Sequence, residues 1–233
     1  MKIFLCTPSY RGIQHLPFLE SLEKTMELLQ YHGHEATFTL LKGCCYVQVG
    51  RNDLVWQFLR SDADVLFFLD DDISWPAEAA LKLIHSGDDI IAGVYPLKND
   101  SGIFPVTVKV GAHEIPVHRP DGCVEVVGAP TGFMKITREA LEKLVEAYPG
   151  QKFAEYDDTG ELKRELYDLF PQGVHNGRWV GEDYAFCRLW EDLGEKIWVV
   201  PDIDFEHHTM ERAYHGNFHQ HLLRHTLKVG ERL

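Results

Sequence analysis

The stretch Ala63–Pro76, ADVLFFLDDDISWP, leaves the chain few folds to choose from. Ala63 to Leu69 is apolar apart from Asp64, and Val65 and two phenylalanines favour an extended backbone. A short apolar run bounded by polar residues predicts a strand buried on both faces. It stops at Asp70, Asp71 and Asp72. Pro76 is expected in the first turn of a helix, where its missing N–H loses nothing. Ala77–His85 continues that helix, with Leu81 and Ile84 spaced to face a core. The carboxylates thus stand at the carboxyl end of a central strand, where open α/β sheets bind ligands.

Adjacent acids repel one another and are expensive to desolvate, so the triplet needs a reason. In Asp-x-Asp the side chains of Asp70 and Asp72 are expected on one side. There they can share a divalent cation and present positive charge to a diphosphate. The plain alternative is a solvated turn in which one aspartate caps the helix. An EF-hand loop is excluded. With Asp70 at its first position, Trp75 falls where glycine is required and Leu81 where glutamate is required.

The 233 residues suit one α/β domain, with or without a small appended lobe. At 45% hydrophobic and 12% aromatic they supply a full core, so neither disulfides nor disorder need be invoked. A formal net charge of −13 argues against a nucleic-acid partner, which calls for a basic surface. It is compatible with a nucleotide site in which a bound cation offsets the phosphates. No apolar stretch approaches a membrane span, and Met1–Tyr10 reads as a strand rather than a signal peptide. The cysteines (Cys6, Cys44, Cys45, Cys123, Cys187) are odd in number and contain no Cys-x-x-Cys, which suggests neither a disulfide framework nor a zinc ribbon.

Along the chain, Lys2–Cys6 predicts a first buried strand ended by Thr7-Pro8-Ser9-Tyr10. Leu19, Leu22, Met26 and Leu29 give Leu16–Tyr31 a helical period, closed by Gly33. Ala36–Leu41 is a second strand, and Val47–Arg60 a helix with Val49, Leu54, Val55 and Phe58 inward. Asp89–Val94 is a further strand. The alternating segments of Phe104–Val127 predict an antiparallel excursion at a sheet edge. Thr137 caps a helix running to Tyr148. Gln151–Arg178 is polar and poorly periodic and reads as a long loop, with Tyr167, Phe170 and His175 as candidates to line a pocket. Gly181-Glu182-Asp183 opens a helix ended by Gly194, and Lys196–Val200 is a last core strand. His215, His219, His221 and His225 form i, i+4 pairs that would suit zinc if helical, although a solvated helix explains them as well.

An apolar strand ending in Asp-x-Asp, upstream of Gly-Glu-Asp and a late histidine, resembles the GT-A glycosyltransferases from Met1 to about Gly216. The resemblance implies a Rossmann-like α/β fold, a mixed and mostly parallel sheet flanked by helices. It divides the chain into a nucleotide-binding half (1–100), an acceptor-binding half (101–216) and a C-terminal helix (217–233). It implies Thr7 and Ser9 near the base and ribose, and Arg51, in a segment similar to one preceding the Asp-x-Asp strand in several GT-A families, on the nucleotide or its diphosphate. Asp70, Asp72 and His207, with His208 as substitute, would hold Mn²⁺ or Mg²⁺. Asp71 would lie by the donor's ribose or sugar. Lys98 and the Thr131-Gly132 turn would shape the sugar pocket. Asp183 would be the general base of an inverting enzyme, with Glu182 as the weaker candidate. Acids in a first helical turn also satisfy the helix dipole, which explains the pair without any catalysis.

The expected function is metal-dependent transfer of a hexosyl or pentosyl group from a UDP- or GDP-sugar to a carbohydrate or glycan acceptor. A chain without an N-terminal anchor is expected in the cytoplasm, bacterial or of a virus's host. Two alternatives stand beside it: a phosphohydrolase of the haloacid-dehalogenase type, and a non-catalytic carbohydrate-binding protein on a transferase fold. The first places its nucleophilic Asp near the first strand, unlike Asp70.

Overall fold

The computed structural model describes residues 1–12, 15–111 and 115–230. The elements begin with β1 (Lys2–Ser9), α1 (Leu16–Tyr31), β2 (Glu35–Lys42), α2 (Val47–Leu59), β3 (Val65–Leu69), β4 (Ile73–Ser74), α3 (Ala77–His85) and β5 (Ile90–Gly93). There follow β6 (Thr107–Val108), β7 (Val124–Gly128), β8 (Phe133–Thr137) and α4 (Arg138–Ala147). Next come β9 (Lys152–Tyr156), β10 (Leu162–Tyr167), β11 (Gly173–His175) and β12 (Arg178–Val180). The chain closes with α5 (Glu182–Glu191), β13 (Ile197–Val200), β14 (Asp204–His208), β15 (Ala213–Asn217) and α6 (Phe218–Gly230).

Eight strands form one mixed sheet in the order β2-β1-β3-β8-β5-β13-β7-β6. β2, β1 and β3 pair in parallel, as do β5 and β13. Only β8, between β3 and β5, and β7, beside β13, run against the rest. This is the mostly parallel sheet that the sequence predicts, with its antiparallel excursion at the β7–β6 edge. No helix among the described residues is long and apolar enough to cross a membrane.

The central strands are buried on both faces because side chains alternate sides along a strand. Phe4, Cys6, Leu66 and Phe68 pack on α2, α4 and α5 through Leu54, Phe58, Leu141, Leu144 and Phe186. Ile3, Leu5, Phe67 and Leu69 pack on α1 and α3 through Phe18, Leu22, Leu83 and Ile84. Each buried Phe or Leu contributes about 1.5–3 kcal/mol relative to exposure, so this double layer fixes the register of β3 and hence the position of the carboxylates after it.

Several local expectations are corrected. Pro76 is the N-cap of α3 in extended backbone (φ −67°, ψ 134°), not a residue of its first turn. In α1 the deep residues include Phe18, while Leu19 is exposed. In α2, Val49 is exposed, and Arg51 and Asn52 are buried in its place. Gln151–Arg178 is no open loop: after a 3₁₀ turn it forms the hairpins β9–β10 and β11–β12.

Topology gathers one end of the sheet. β1, β3 and β5 run in parallel, so Ser9, Asp70 and Val94 leave the sheet together. Antiparallel β8 begins where they end, and the Asp70 N–H donates to the Gly132 carbonyl (2.8 Å). A second sheet, β15-β14-β4, pairs His207 with Ile73 and Glu206 with Ser74. That two-residue strand β4 is what brings the chain after residue 200 back to Asp72.

Candidate active site

Asp72 is the hub of an outer group. The Lys98 ammonium pairs with its Oδ2, and Nε2 of His207 stands 3.4 Å from its Oδ1. Burial raises the Asp72 pKa, but the contacts from His207 and Lys98 outweigh it and hold the carboxyl down to about 2. Nδ1 of His207 meets the Pro96 carbonyl at 2.7 Å. A carbonyl only accepts, so Nδ1 carries a proton, while Nε2, towards Asp72, donates a second proton in the charged ring and presents a lone pair in the neutral one. A lone pair facing a carboxylate is repulsive unless a proton or a cation lies between them. The donor set, one imidazole oriented by a backbone carbonyl and one carboxylate, suits a divalent metal ion.

The neighbours of this pair differ in role. The His208 ring turns away to meet Ser74 Oγ (2.9 Å) and stacks on His15, while its backbone N–H holds the Asp72 carbonyl (2.7 Å). It is therefore His207 that meets Asp72. Asp71 accepts from Ser9 Oγ (2.5 Å), and burial raises its pKa more than that bond lowers it. Asp71, Asp72, Lys98, Tyr10 and Arg11 line a cavity of about 480 Å³. A wider cleft of about 760 Å³ opens between α1 and α3, but of these groups it reaches only the Ser74–Glu206 margin.

Asp70 belongs to an inner group. It accepts from Arg51 Nη2 (3.0 Å) and from the Tyr95 hydroxyl (2.8 Å). Each of its oxygens thereby accepts one hydrogen bond, whereas Asp72 faces Lys98 and His207, so the two carboxylates have different partners. Among the described residues no three His, Cys, Asp or Glu side chains converge with metal-binding spacing. Arg51, expected to reach a ligand directly, is buried at 3% exposure behind Asp70, with Phe68 under its guanidinium.

Arg51 also joins the two halves of the site, since its Nε lies 3.8 Å from Glu182 Oε1 at the start of α5. Gly181 caps that helix without a side chain, leaving Glu182 and Asp183 in its first turn. Burial, then the Glu182 charge, raise the Asp183 pKa to about 6, against the Tyr184 N–H it accepts from and the Arg51 charge. Tyr184 lies flat against Gly128, where an added Cβ would stand 2.5 Å from its ring, and this close fit seats the start of α5 on β7. Thr7 Oγ1, Thr131 Oγ1, and Nε and Nη1 of Arg51 are buried without a hydrogen-bond partner. Native proteins rarely leave such atoms unpaired, so this end of the sheet holds unmet polar capacity beside the carboxylates.

No protein-family model and no curated protein matches the chain. Among solved structures it is similar to the catalytic domain of Drosophila β1,4-galactosyltransferase 7 in complex with xylobiose, at 14% identity and a TM-score of 0.44. That likeness covers 85% of this chain and 64% of the other, so the chain spans a little under two thirds of that protein. It is similar also to a glycosyltransferase involved in glycosylation of the major capsid of PBCV-1, at 12% identity and a TM-score of 0.33, over 64% of this chain and 67% of that one. A third is the inositol-1-phosphate CTP transferase of T. maritima, at 14% identity and a TM-score of 0.42, covering 85% and 84%. Likenesses at this level add nothing to the chemistry, which rests on the side chains themselves.

Other candidates fall elsewhere. Phe170, expected to line a pocket, is fully buried and stacks on Phe186 (4.6 Å, 9°). His175 is exposed on β11. His215 is on a strand, paired with Glu206 (3.1 Å), so it forms no helical pair with His219. The side chain of His225 lies outside the described residues. Sequence reasoning missed Tyr95, whose hydroxyl fixes Asp70 and whose pKa is driven well up by burial and the Asp70 charge. A tyrosine beside proline directly after a buried strand was the available signal. Trp179 was missed too: it is 69% exposed on β12, four residues before Asp183.

Proposed function

We propose that this chain is a metal-dependent glycosyltransferase that moves a hexosyl or pentosyl group from a UDP- or GDP-sugar to a hydroxyl of a carbohydrate or glycan. The observation that carries the proposal is one run of contacts. His207 meets Asp72 and stands edge-on to Tyr95, Tyr95 and Arg51 both hold Asp70, and Arg51 reaches Glu182, beside Asp183, whose pKa burial raises to about 6. Asp72 and His207 would hold Mn²⁺ or Mg²⁺, which when bound offsets the charge of a diphosphate. Lys98, released from Asp72, would reach the same phosphates. Ser9 and Asp71 would meet the ribose, with Thr7 behind them. Asp70, locked by Arg51 and Tyr95, would present a fixed edge to the donor sugar, with Thr131 and Gly132 completing that pocket. A carboxylate so engaged is badly placed to act as a phosphohydrolase nucleophile.

Asp183 would take the proton of the acceptor hydroxyl as that oxygen attacks the anomeric carbon, if configuration inverts. A base titrating near 6 is ionised at neutral pH and still basic enough for the task. If configuration is retained, Asp183 orients the substrates and the leaving phosphate accepts the proton. Glu182 would be held by Arg51 towards acceptor hydroxyls, and the exposed Trp179 would offer them an aromatic face.

The test is thermal unfolding with UDP, GDP, CDP and ADP, each with and without Mn²⁺, on the native protein and Asp72→Ala. A ligand bound only by the folded state raises the midpoint by mass action. The expected result is a metal-dependent rise with one diphosphate, absent in the variant. Midpoints unmoved by every nucleotide at millimolar concentration would end the transferase reading.

A further inference from the structure

We propose that the chain forms a two-fold dimer in which β2 of one copy pairs antiparallel with β2 of a second, joining two eight-stranded sheets into one. β2 is the outermost strand and, among the described residues, pairs only with β1. It does so over eight residues in unbroken register, from Glu35 opposite Lys2 to Lys42 opposite Ser9. The outer row of N–H and C=O groups on such a strand is a template for another one, and native edges are normally blunted by shortness, a bulge, a proline or a charge within the strand. The far edge of this sheet is blunted in that way. β6 has two residues, and its pairing with β7 shifts register between them. β2 has none of these devices, and between Glu35 and Lys42 it reads ATFTLL.

The strand is self-complementary about Thr39. Side chains alternate faces, so Ala36, Phe38, Leu40 and Lys42 share one face and Thr37, Thr39 and Leu41 the other. The first is the face of α1, because Ala36 and Phe38 pack on the core beneath that helix and Phe38 meets Phe18 (ring centroids 6.3 Å). A two-fold axis normal to the sheet leaves every residue on its own face, so only residues of like parity come opposite one another. Centred on Thr39, the axis sets Thr39 against Thr39 and Phe38 against Leu40, a hydroxyl pair and an apolar pair of the kind that stabilise antiparallel strands. It also sets Lys42 against Ala36 of the second copy. Ala36 lines a cavity of about 910 Å³ beside α1 that is lined also by Glu23 and Glu27. The exposed lysine of each copy thus meets the acidic groove of the other. Centring on Phe38 would instead place Leu41 against Glu35. Charge and apolar pattern therefore fit a second copy in one register.

The experiment is light scattering on the tag-free full chain as it leaves a sizing column, at about 0.15 M salt, where repulsion between two acidic chains is largely screened. The native protein is expected at twice the mass of one chain. Thr39→Lys and Thr39→Glu each set like charges face to face at the axis and should weaken association by roughly tenfold or more. An equimolar mixture of the two should recover the dimer, since opposite charges then meet there. Lys42→Glu, a change at an exposed position, turns attraction to the groove into repulsion and should weaken association as well. A native protein that stays monomeric up to millimolar concentration, or a dimer as tight in Lys42→Glu as in the native chain, would overturn the proposal. Lys42→Glu decides the matter even where a Thr39 variant fails to fold.

Discussion

Arg51 and Asp70 meet at 3.0 Å, with the arginine side chain 4% exposed and the carboxylate 25%. Removing one member of a buried pair leaves the other charged and unsolvated, which costs about 3–5 kcal/mol, less here because Asp70 retains some water. Arg51→Met is expected to lower stability by about 2–4 kcal/mol in urea unfolding. Arg51→Met with Asp70→Asn should recover part of that loss. A double variant no more stable than the single one would mean that the ion pair is not what Arg51 provides.

Gly132 packs against Asp70 and its other partner, Tyr95. A Cβ there would stand 2.0 Å from Asp70 Oδ2 and 2.2 Å from the Tyr95 hydroxyl. Gly132→Ala must displace both, a strain of about 1–3 kcal/mol. The variant should fold and keep the rise given by the nucleoside diphosphate, but lose the further rise given by the nucleotide sugar. An unchanged response to the nucleotide sugar would show that the Asp70 edge does not face the donor sugar.

Asp183 gives two measurements of opposite sign. Its folded pKa of about 6 lies above the ordinary carboxyl range, so the folded state holds the proton more tightly than the unfolded chain. The resulting destabilisation is absent below about pH 4, grows as pH rises towards 6, and is complete above it. Asp183→Asn should accordingly stabilise the protein by up to about 3 kcal/mol at pH 8 and leave it unchanged at pH 3.5. Turnover of the native enzyme should rise with pH through about 6, and the variant should lose roughly a hundredfold or more. A stabilised variant with full turnover would reduce Asp183 to a residue of the helix start.

Trp179→Ala probes the acceptor side. The ring is exposed, so stability should move by less than about 0.5 kcal/mol. Lost stacking of about 0.5–1.5 kcal/mol should raise the acceptor KM by roughly threefold to tenfold, with kcat at saturating acceptor unchanged. An unaltered KM would place the acceptor elsewhere.

Much of this was legible in the sequence because burial on both faces leaves a plain signature. β3 and its carboxylates, α3, α4 with its Thr137 cap (Ala140 N–H to Oγ1, 3.2 Å), and the Glu182–Asp183 helix start all stand where the pattern put them. β4 was not legible, since a two-residue strand has no periodicity and exists only because β14 pairs with it. β9 and β10 are exposed along most of their length, so no apolar alternation betrayed them. The direction of Asp70 was beyond local reasoning as well. It depends on Arg51 and Tyr95, and a spacing rule along one strand cannot register partners that arrive from a helix and from the loop after β5.

The hairpins β9–β10 and β11–β12 each form a sheet of their own. The core holds the segment between and around them at a few fixed points. Asn52 receives the Leu169 and Phe170 N–H groups and donates to Asp168, Asp53 pairs with Arg164, and the Phe170 ring is seated on Phe186. Apart from those anchors and the buried Leu166 and Leu169, the hairpins are mostly exposed. The region from residue 152 to 180 is thus an exchangeable cassette. Exchanging the exposed hairpins between the same anchors would alter this face of the molecule while β1, β3, β8 and β14 stay as they are.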